Sequence, residues 1–217
     1  AWAFAPNLLA TNSHISEPVR EALGLGIETY VVPNKSRGKS YRVVEALVHP
    51  RYDEARPNVE GRLPATGPYD IGVLRIEGAF DATVPIASEA ALASLDAGTP
   101  VAFIGFPMEN LIGDNVSALN PIATMQVGNV TSVSDYYLED AGPAGNFLVR
   151  HNLPATGGAS GSPIFLADGS VAAVLNAGNI ILAFNPQGDS VTMSRAPSAA
   201  GVNYAQRIDI LRDLVGP

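Results

Sequence analysis

Cysteine is absent from these 217 residues, so no disulfide framework exists and the chain carries no mark of an oxidising or a reducing compartment. Charge is scarce as well: Asp, Glu, Lys and Arg make up 16% of the chain, against about 25% in an average domain. Thirteen basic residues face 21 acidic ones, and the net charge of −8 argues against nucleic acid and anionic membranes, which attract basic surfaces. No apolar run approaches the ~18 residues of a membrane span. The opening Ala1-Trp2-Ala3-Phe4-Ala5 has no basic start, and Pro6 and Asn7 interrupt it, so it reads as a strand turning into a strand rather than as a signal peptide. The three histidines have no carboxylates clustered at ligand spacing, which leaves no basis for a metal site. Gly24-Leu25-Gly26 is too short a fragment to count as a phosphate loop, and nothing else calls for a cofactor.

Turn residues, by contrast, are plentiful. Twenty-one Gly and 17 Pro punctuate short apolar segments, the pattern of a β-rich domain long enough to bury a sizeable core. Strands are expected around 41–48, 71–76, 100–106, 123–134, 171–175 and 180–184, with a hairpin turn at Pro186-Gln187-Gly188-Asp189. Two helices are expected: one capped by Ser16, running through Val19 and Leu23 to Gly24, and one near the end with Ile208, Leu211 and Val215 on its apolar face. Residues 53–68 read as a polar, solvated loop. A soft boundary near 92–98 divides the chain into halves at 1–95 and 96–217.

The segment Thr156-Gly157-Gly158-Ala159-Ser160-Gly161-Ser162-Pro163 sets a serine between glycines, in a turn that proline keeps from becoming a helix. Such a turn lets backbone N–H groups and a hydroxyl converge on one point, as a nucleophile with an oxyanion hole requires. Clusters of Gly, Ser and Pro also form ordinary surface turns, so two further segments carry weight. Leu8-Leu9-Ala10-Thr11-Asn12-Ser13-His14 is an apolar run ending in histidine. Tyr69-Asp70-Ile71-Gly72-Val73-Leu74 puts an aspartate at the mouth of an apolar strand. A serine hydroxyl needs a base to take its proton, and the base needs a buried carboxylate to fix its tautomer. His14, Asp70 and Ser160 supply these types in the chain order His, Asp, Ser. The α/β-hydrolase alternative needs Gly-x-Ser-x-Gly, a helix after the serine and the order Ser, Asp, His, and it fails on each.

In these three motifs the chain resembles the chymotrypsin-fold, trypsin-like serine peptidases of the bacterial, disulfide-free kind, including the protease domains of high-temperature-requirement proteases and the glutamyl endopeptidases. Thr11-Asn12-Ser13-His14 is similar to the Thr-Asn-Asn-His of that family, Asp70-Ile71-Gly72-Val73-Leu74 to its Asp-Ile-Ala-Leu-Leu, and Gly158-Ala159-Ser160-Gly161-Ser162-Pro163 to its Gly-Asn-Ser-Gly-Ser-Pro. The resemblance implies an all-β fold of two packed six-stranded-type antiparallel barrels, with a short helix after His14 and a C-terminal helix. It implies serine endopeptidase activity, His14, Asp70 and Ser160 as catalytic residues, and the N–H groups of Gly158 and Ser160 as oxyanion hole. A polypeptide substrate and an extracytoplasmic location follow from the same likeness, with no cofactor, nucleic acid or membrane insertion.

Departures from the family carry their own expectations. Ala159 stands where many animal trypsins have an aspartate, so activation by burying a new N-terminus against it is not expected. His14 comes early, which implies that the first strand of the first barrel is missing and that an upstream segment or a partner chain completes it. No regulatory peptide-binding domain follows Pro217, so a complete high-temperature-requirement protease is not expected. By position Leu153, Pro154 and Ala155 should floor the primary substrate pocket, with Leu175, Asn176 and Ala177 on its wall. That lining lacks a charge, which favours cleavage after small or medium apolar residues. The competing reading is a catalytically silent double barrel serving as a binding module.

Overall fold

The computed structural model describes residues 1–52, 60–107, 120–178, 180–187, 190–197 and 201–216. Two β-sheets account for most of it. The first is built from β1 (Trp2–Ala5), β2 (Leu8–Thr11), β3 (Tyr30–Val31), β4 (Tyr41–Val48) and β5 (Gly72–Ile76), in the order β1-β2-β5-β4-β3. Pro6 and Asn7 turn β1 into β2, and the inward face of β4 is set by Tyr41 and Val43 and, past a register irregularity between Val43 and Glu45, by Ala46. This sheet is five-stranded and open, with β1 and β3 at its edges. Helix α1 (Ser13–Gly24) lies across β4 and β5 and packs Val19 and Leu23 onto Leu9, Tyr41, Val43 and Leu74.

A short helix α2 (Glu89–Ala93), capped by the Ser88 hydroxyl, leads into the second sheet. Strands β6 (Pro100–Gly105), β7 (Thr124–Ser134), β8 (Leu148–His151), β9 (Pro163–Phe165), β10 (Val171–Gly178) and β13 (Asn203–Arg207) close into a barrel in the order β10-β13-β8-β7-β6-β9. A two-stranded ribbon of β11 (Ile180–Gln187) and β12 (Ser190–Pro197) projects between β10 and β13 in the chain. Gln187 pairs with Ser190, and the central residues of the expected hairpin turn, 188 and 189, lie outside the described residues. A 3-10 turn over Ile208–Leu211 and helix α3 (Arg212–Val215) follow β13.

The two-barrel architecture expected from sequence is therefore found, with the first barrel as a half-barrel. One apolar cluster joins both sheets, running from Trp2, Ala10, Ile71 and Val73 to Phe103, Leu153, Ile164 and Leu175. Three details differ from expectation. Helix α1 begins at Ser13 with Asn12 as N-cap residue, and Ser16, expected to cap it, is buried one turn inside with its hydroxyl on the Ser13 carbonyl. Ser16 is drawn in because it lies directly against Gly72, where a Cβ would collide with its hydroxyl. Near the C-terminus Ile208, Ile210 and Leu211 are buried, whereas Val215 is exposed, because the chain enters as a tight 3-10 turn and rotates that residue outward. The solvated loop expected over 53–68 is not solvated at 64–68, which tuck against the second barrel; residues 53–59 lie outside the described set.

Candidate active site

Strand β2 delivers His14 and the segment before β5 delivers Asp70, and polar side chains staple the two together. Asn12 donates from Nδ2 to the Asp70 carbonyl at 2.9 Å, and Ser13 donates from Oγ to the Ile71 carbonyl at 2.7 Å. The Ser13 hydroxyl also accepts from the His49 N–H at 3.0 Å. Asn12, Ser13 and Asp70 are all buried, so these bonds are shielded from water. The Asp70 carboxylate then takes two bonds from one residue. Oδ1 accepts the backbone N–H of His14 at 2.9 Å, and Oδ2 meets His14 Nδ1 at 2.7 Å. The first satisfies a free N–H in the opening turn of α1, where a negative charge also suits the helix dipole. The second fixes the imidazole tautomer, since an ionised carboxylate only accepts and Nδ1 must carry the proton. Nε2 is then left with its lone pair. The His14 side chain is 31% exposed against 6% for Asp70, so the ring reaches outward from a buried anchor.

The residue before Asp70 holds an unusual backbone. Tyr69 has φ +55°, and the Ile71 N–H closes onto the Tyr69 carbonyl at 2.8 Å, wrapping the chain tightly around Asp70. A non-glycine residue in this region costs of order 1–3 kcal/mol and persists only where its surroundings hold it. The Tyr69 ring stacks on His49 at 5.1 Å and carries the Arg51 guanidinium 3.8 Å from its centroid.

Ser160 sits in a turn closed by Ala159 N–H to Thr156 carbonyl and Ser162 N–H to Ala159 carbonyl, both 3.1 Å. Gly158 and Gly161 have φ +86° and +78°, the left-handed region that their lack of a Cβ permits. Gly161 donates to the Leu175 carbonyl at 2.8 Å, and Leu175 returns a bond to the Ser162 carbonyl at 3.0 Å, fastening the turn to β10. Ala159 is fully buried in the core that joins the sheets. Gly161 lies on Thr11 at the end of β2, so close that a Cβ would strike the Thr11 side chain. The serine turn thus rests on the strand that leads to His14. Ser160 Oγ is half-buried and donates to the Asn176 carbonyl at 3.5 Å.

A family model described as the trypsin-like peptidase domain matches residues 1–174. The chain belongs to that family. Many solved structures share its fold, among them two proteases. A Glu endopeptidase in complex with MPD aligns with TM-score 0.59 at 16% identity, over 98% of this chain and 81% of its own. An HtrA-type protease, AlgW with a decapeptide, aligns with TM-score 0.53 at 13% identity, over 98% of this chain and 50% of its own. No curated protein matches the sequence.

In this trypsin-like peptidase, the segments expected to form the substrate pocket flank β13 on its two sides. Leu153 is fully buried and its carbonyl accepts from Asn203 Nδ2 at 2.7 Å, while Pro154 is exposed and Ala155 half-buried. On the other side Leu175 is a core residue, and Ala177 pairs through its backbone with Tyr204. The Asn176 side chain turns away from solvent and donates from Nδ2 to Thr66 Oγ1 at 2.9 Å.

The other two histidines are buried. His49 bonds Asp213 through Nε2 at 3.2 Å and accepts the Arg51 N–H at Nδ1, and burial nevertheless holds its pKa below the usual histidine value. His151 is fully buried and burial lowers its pKa to about 4. Among the described residues, no three His, Asp or Glu side chains group at metal-binding distance. Sequence reading missed Asn12 and Ser13 as staples. Two polar residues closing an apolar strand beside a histidine were the available signal.

Proposed function

We propose that the chain is a serine endopeptidase working through an acyl-enzyme, with Ser160 as nucleophile, His14 as general base and Asp70 as the carboxylate behind it. The observation that carries this reading is the pair of hydrogen bonds that Asp70 accepts from His14, one from the backbone N–H and one from Nδ1, which puts the ring proton on Nδ1 and leaves the Nε2 lone pair to act as base. Ser160 Oγ attacks the scissile carbonyl and its proton passes to His14 Nε2. The N–H groups of Gly158 and Ser160 receive the oxyanion. As the C–N bond breaks, the imidazolium returns the proton to the leaving amine. Water then repeats the sequence on the ester, releasing the acid and restoring the Ser160 hydroxyl. Asp70 stabilises the imidazolium without itself taking the proton.

Leu153, Pro154, Ala155, Leu175, Asn176 and Ala177 offer no charge to a bound side chain, which supports cleavage after small or medium apolar residues. The glutamate in the name of one structural neighbour is not carried over. Glutamyl endopeptidases place a histidine in the wall segment, and this chain has Leu175-Asn176-Ala177 there. A peptide library scanned for cleavage sites tests the assignment, and a majority of cuts after Arg, Lys or Glu would refute it.

The open five-stranded sheet favours a second reading, a silent double barrel that pairs its edge with a further strand. Hydrolysis of a small activated ester by the folded chain, abolished in Ser160→Ala, separates the two.

A further inference from the structure

The segment leading into Asp70 is held from the second half of the chain at four points, three on its backbone and one on the Thr66 side chain. Ala65 N–H donates to the Tyr136 carbonyl at 2.8 Å. Thr66 Oγ1 accepts from Asn176 Nδ2 at 2.9 Å. The Gly67 carbonyl accepts from Gln206 Nε2 at 3.0 Å, and Tyr69 N–H donates to the Tyr136 hydroxyl at 3.1 Å. A fifth bond joins the holders to each other, from the Tyr136 hydroxyl to Gln206 Oε1 at 2.7 Å.

The donors and acceptors in this strap admit one arrangement. Tyr136 has a single hydroxyl proton, which goes to Gln206, and its lone pair takes the Tyr69 N–H. Gln206 must then turn its NH₂ toward Gly67. Both holders are buried, Gln206 fully and Tyr136 to 6% exposure, and burial drives the phenol far above its usual pKa, so it keeps the proton it donates. The strap ends on Tyr69, whose backbone is the strained one and whose carbonyl closes the turn around Asp70. Without a hold on its N–H and on Gly67, that residue has a cheaper conformation available, and Asp70 would move with it.

We propose that Tyr136 and Gln206 are positioning residues for Asp70, fixing the backbone at 67–69 so that its carboxylate meets both N–H groups of His14. They couple the barrel that carries Ser160 to the loop that carries the carboxylate. The inference rests on the catalytic reading of His14, Asp70 and Ser160.

The test is the second-order rate at which a fluorophosphonate labels Ser160, read by intact mass, in Tyr136→Phe, Asp70→Asn and the double variant. Tyr136→Phe keeps the ring and removes the hydroxyl, and a rate loss of order 10²-fold is expected, the usual result of a ~1 Å misplacement. In the Asp70→Asn background the same change should cost less than about 2-fold, because the group it positions is already gone. The downfield proton resonance of the His14–Asp70 hydrogen bond should weaken in Tyr136→Phe at constant fold content. Gln206→Met, which fills the same space, should act in the same direction and serves where Tyr136→Phe lowers the folded fraction. Equal losses in both backgrounds, or labelling at the parent rate with the resonance unchanged, would overturn the proposal while the catalytic reading stands. Undiminished labelling of Asp70→Asn would instead overturn the catalytic reading, and the proposal with it.

Discussion

Acidification should unfold this protein partly through one residue that takes no part in the proposed proton transfers. His151 ends β8, between Val130 of β7 and Asn203 of β13, with none of its surface exposed. Neither ring nitrogen has a hydrogen-bond partner of good geometry among the described residues, and the nearby Tyr204 backbone offsets burial only in part. Charging the ring there means desolvating an imidazolium, and burial accordingly lowers its pKa from 6.5 to about 4. Between those values the unfolded chain binds the proton and the folded chain does not. The contribution is therefore fully present above pH 6.5 and is lost as pH falls toward 4. The loss grows to about 2 kcal/mol at pH 5 and about 3 kcal/mol at pH 4, a large part of the 5–15 kcal/mol that holds an ordinary domain. Urea unfolding followed by the fluorescence of Trp2, the one tryptophan and a buried one, measures it. His151→Leu, matched in size, should remove this slope and leave the acid response of His49 and the carboxylates in place. The difference between the two stabilities should widen steadily from pH 7 to pH 4.5. Parallel curves over that range would refute the argument.

Three further outcomes follow from a close approach, a left-handed backbone and a buried position. Gly72→Ala would push a methyl into the Ser16 side chain and to 2.8 Å from the Asn12 carbonyl, so a loss of about 1–3 kcal/mol is expected in thermal unfolding. Gly158→Ala should lower turnover of an activated ester by about 10²–10³-fold, and Gly158→Val by more, because φ +86° strains any side chain and a β-branched one most. Ala159→Asp would bury an unpaired carboxylate in the shared core, and a fall in soluble, folded yield measured by circular dichroism is the expected result.

The three motifs proposed to carry the chemistry can be picked out of the sequence because each is local: a histidine closing one apolar strand, an aspartate opening another, a serine among glycines. Individual strands of the closed barrel were legible too, as in the inward-facing Val101 and Phe103, whereas the closure of those strands into a barrel was implied by the family resemblance. What escaped depends on partners distant in sequence. Ser16 looks like a cap on propensity alone, and only the absence of a Cβ at Gly72 explains why it is buried inside α1. Residues 64–68 look like loop by composition, yet Tyr136, Asn176 and Gln206 bind them from sequence separations of about 70 to 140 residues. Nothing local in Ala65-Thr66-Gly67 signals those bonds. The positive φ of Tyr69 is equally hidden, because a tyrosine is a poor guide to the left-handed region.

The proposed mechanism stands on Ser160 being an activated nucleophile. Intact mass after treatment with a fluorophosphonate, on the chain and on Ser160→Ala, tests it most directly, with circular dichroism on both to establish that each is folded. One adduct is expected on the parent chain and none on the variant. A folded parent chain that takes no adduct, or a variant that still takes one, would contradict it.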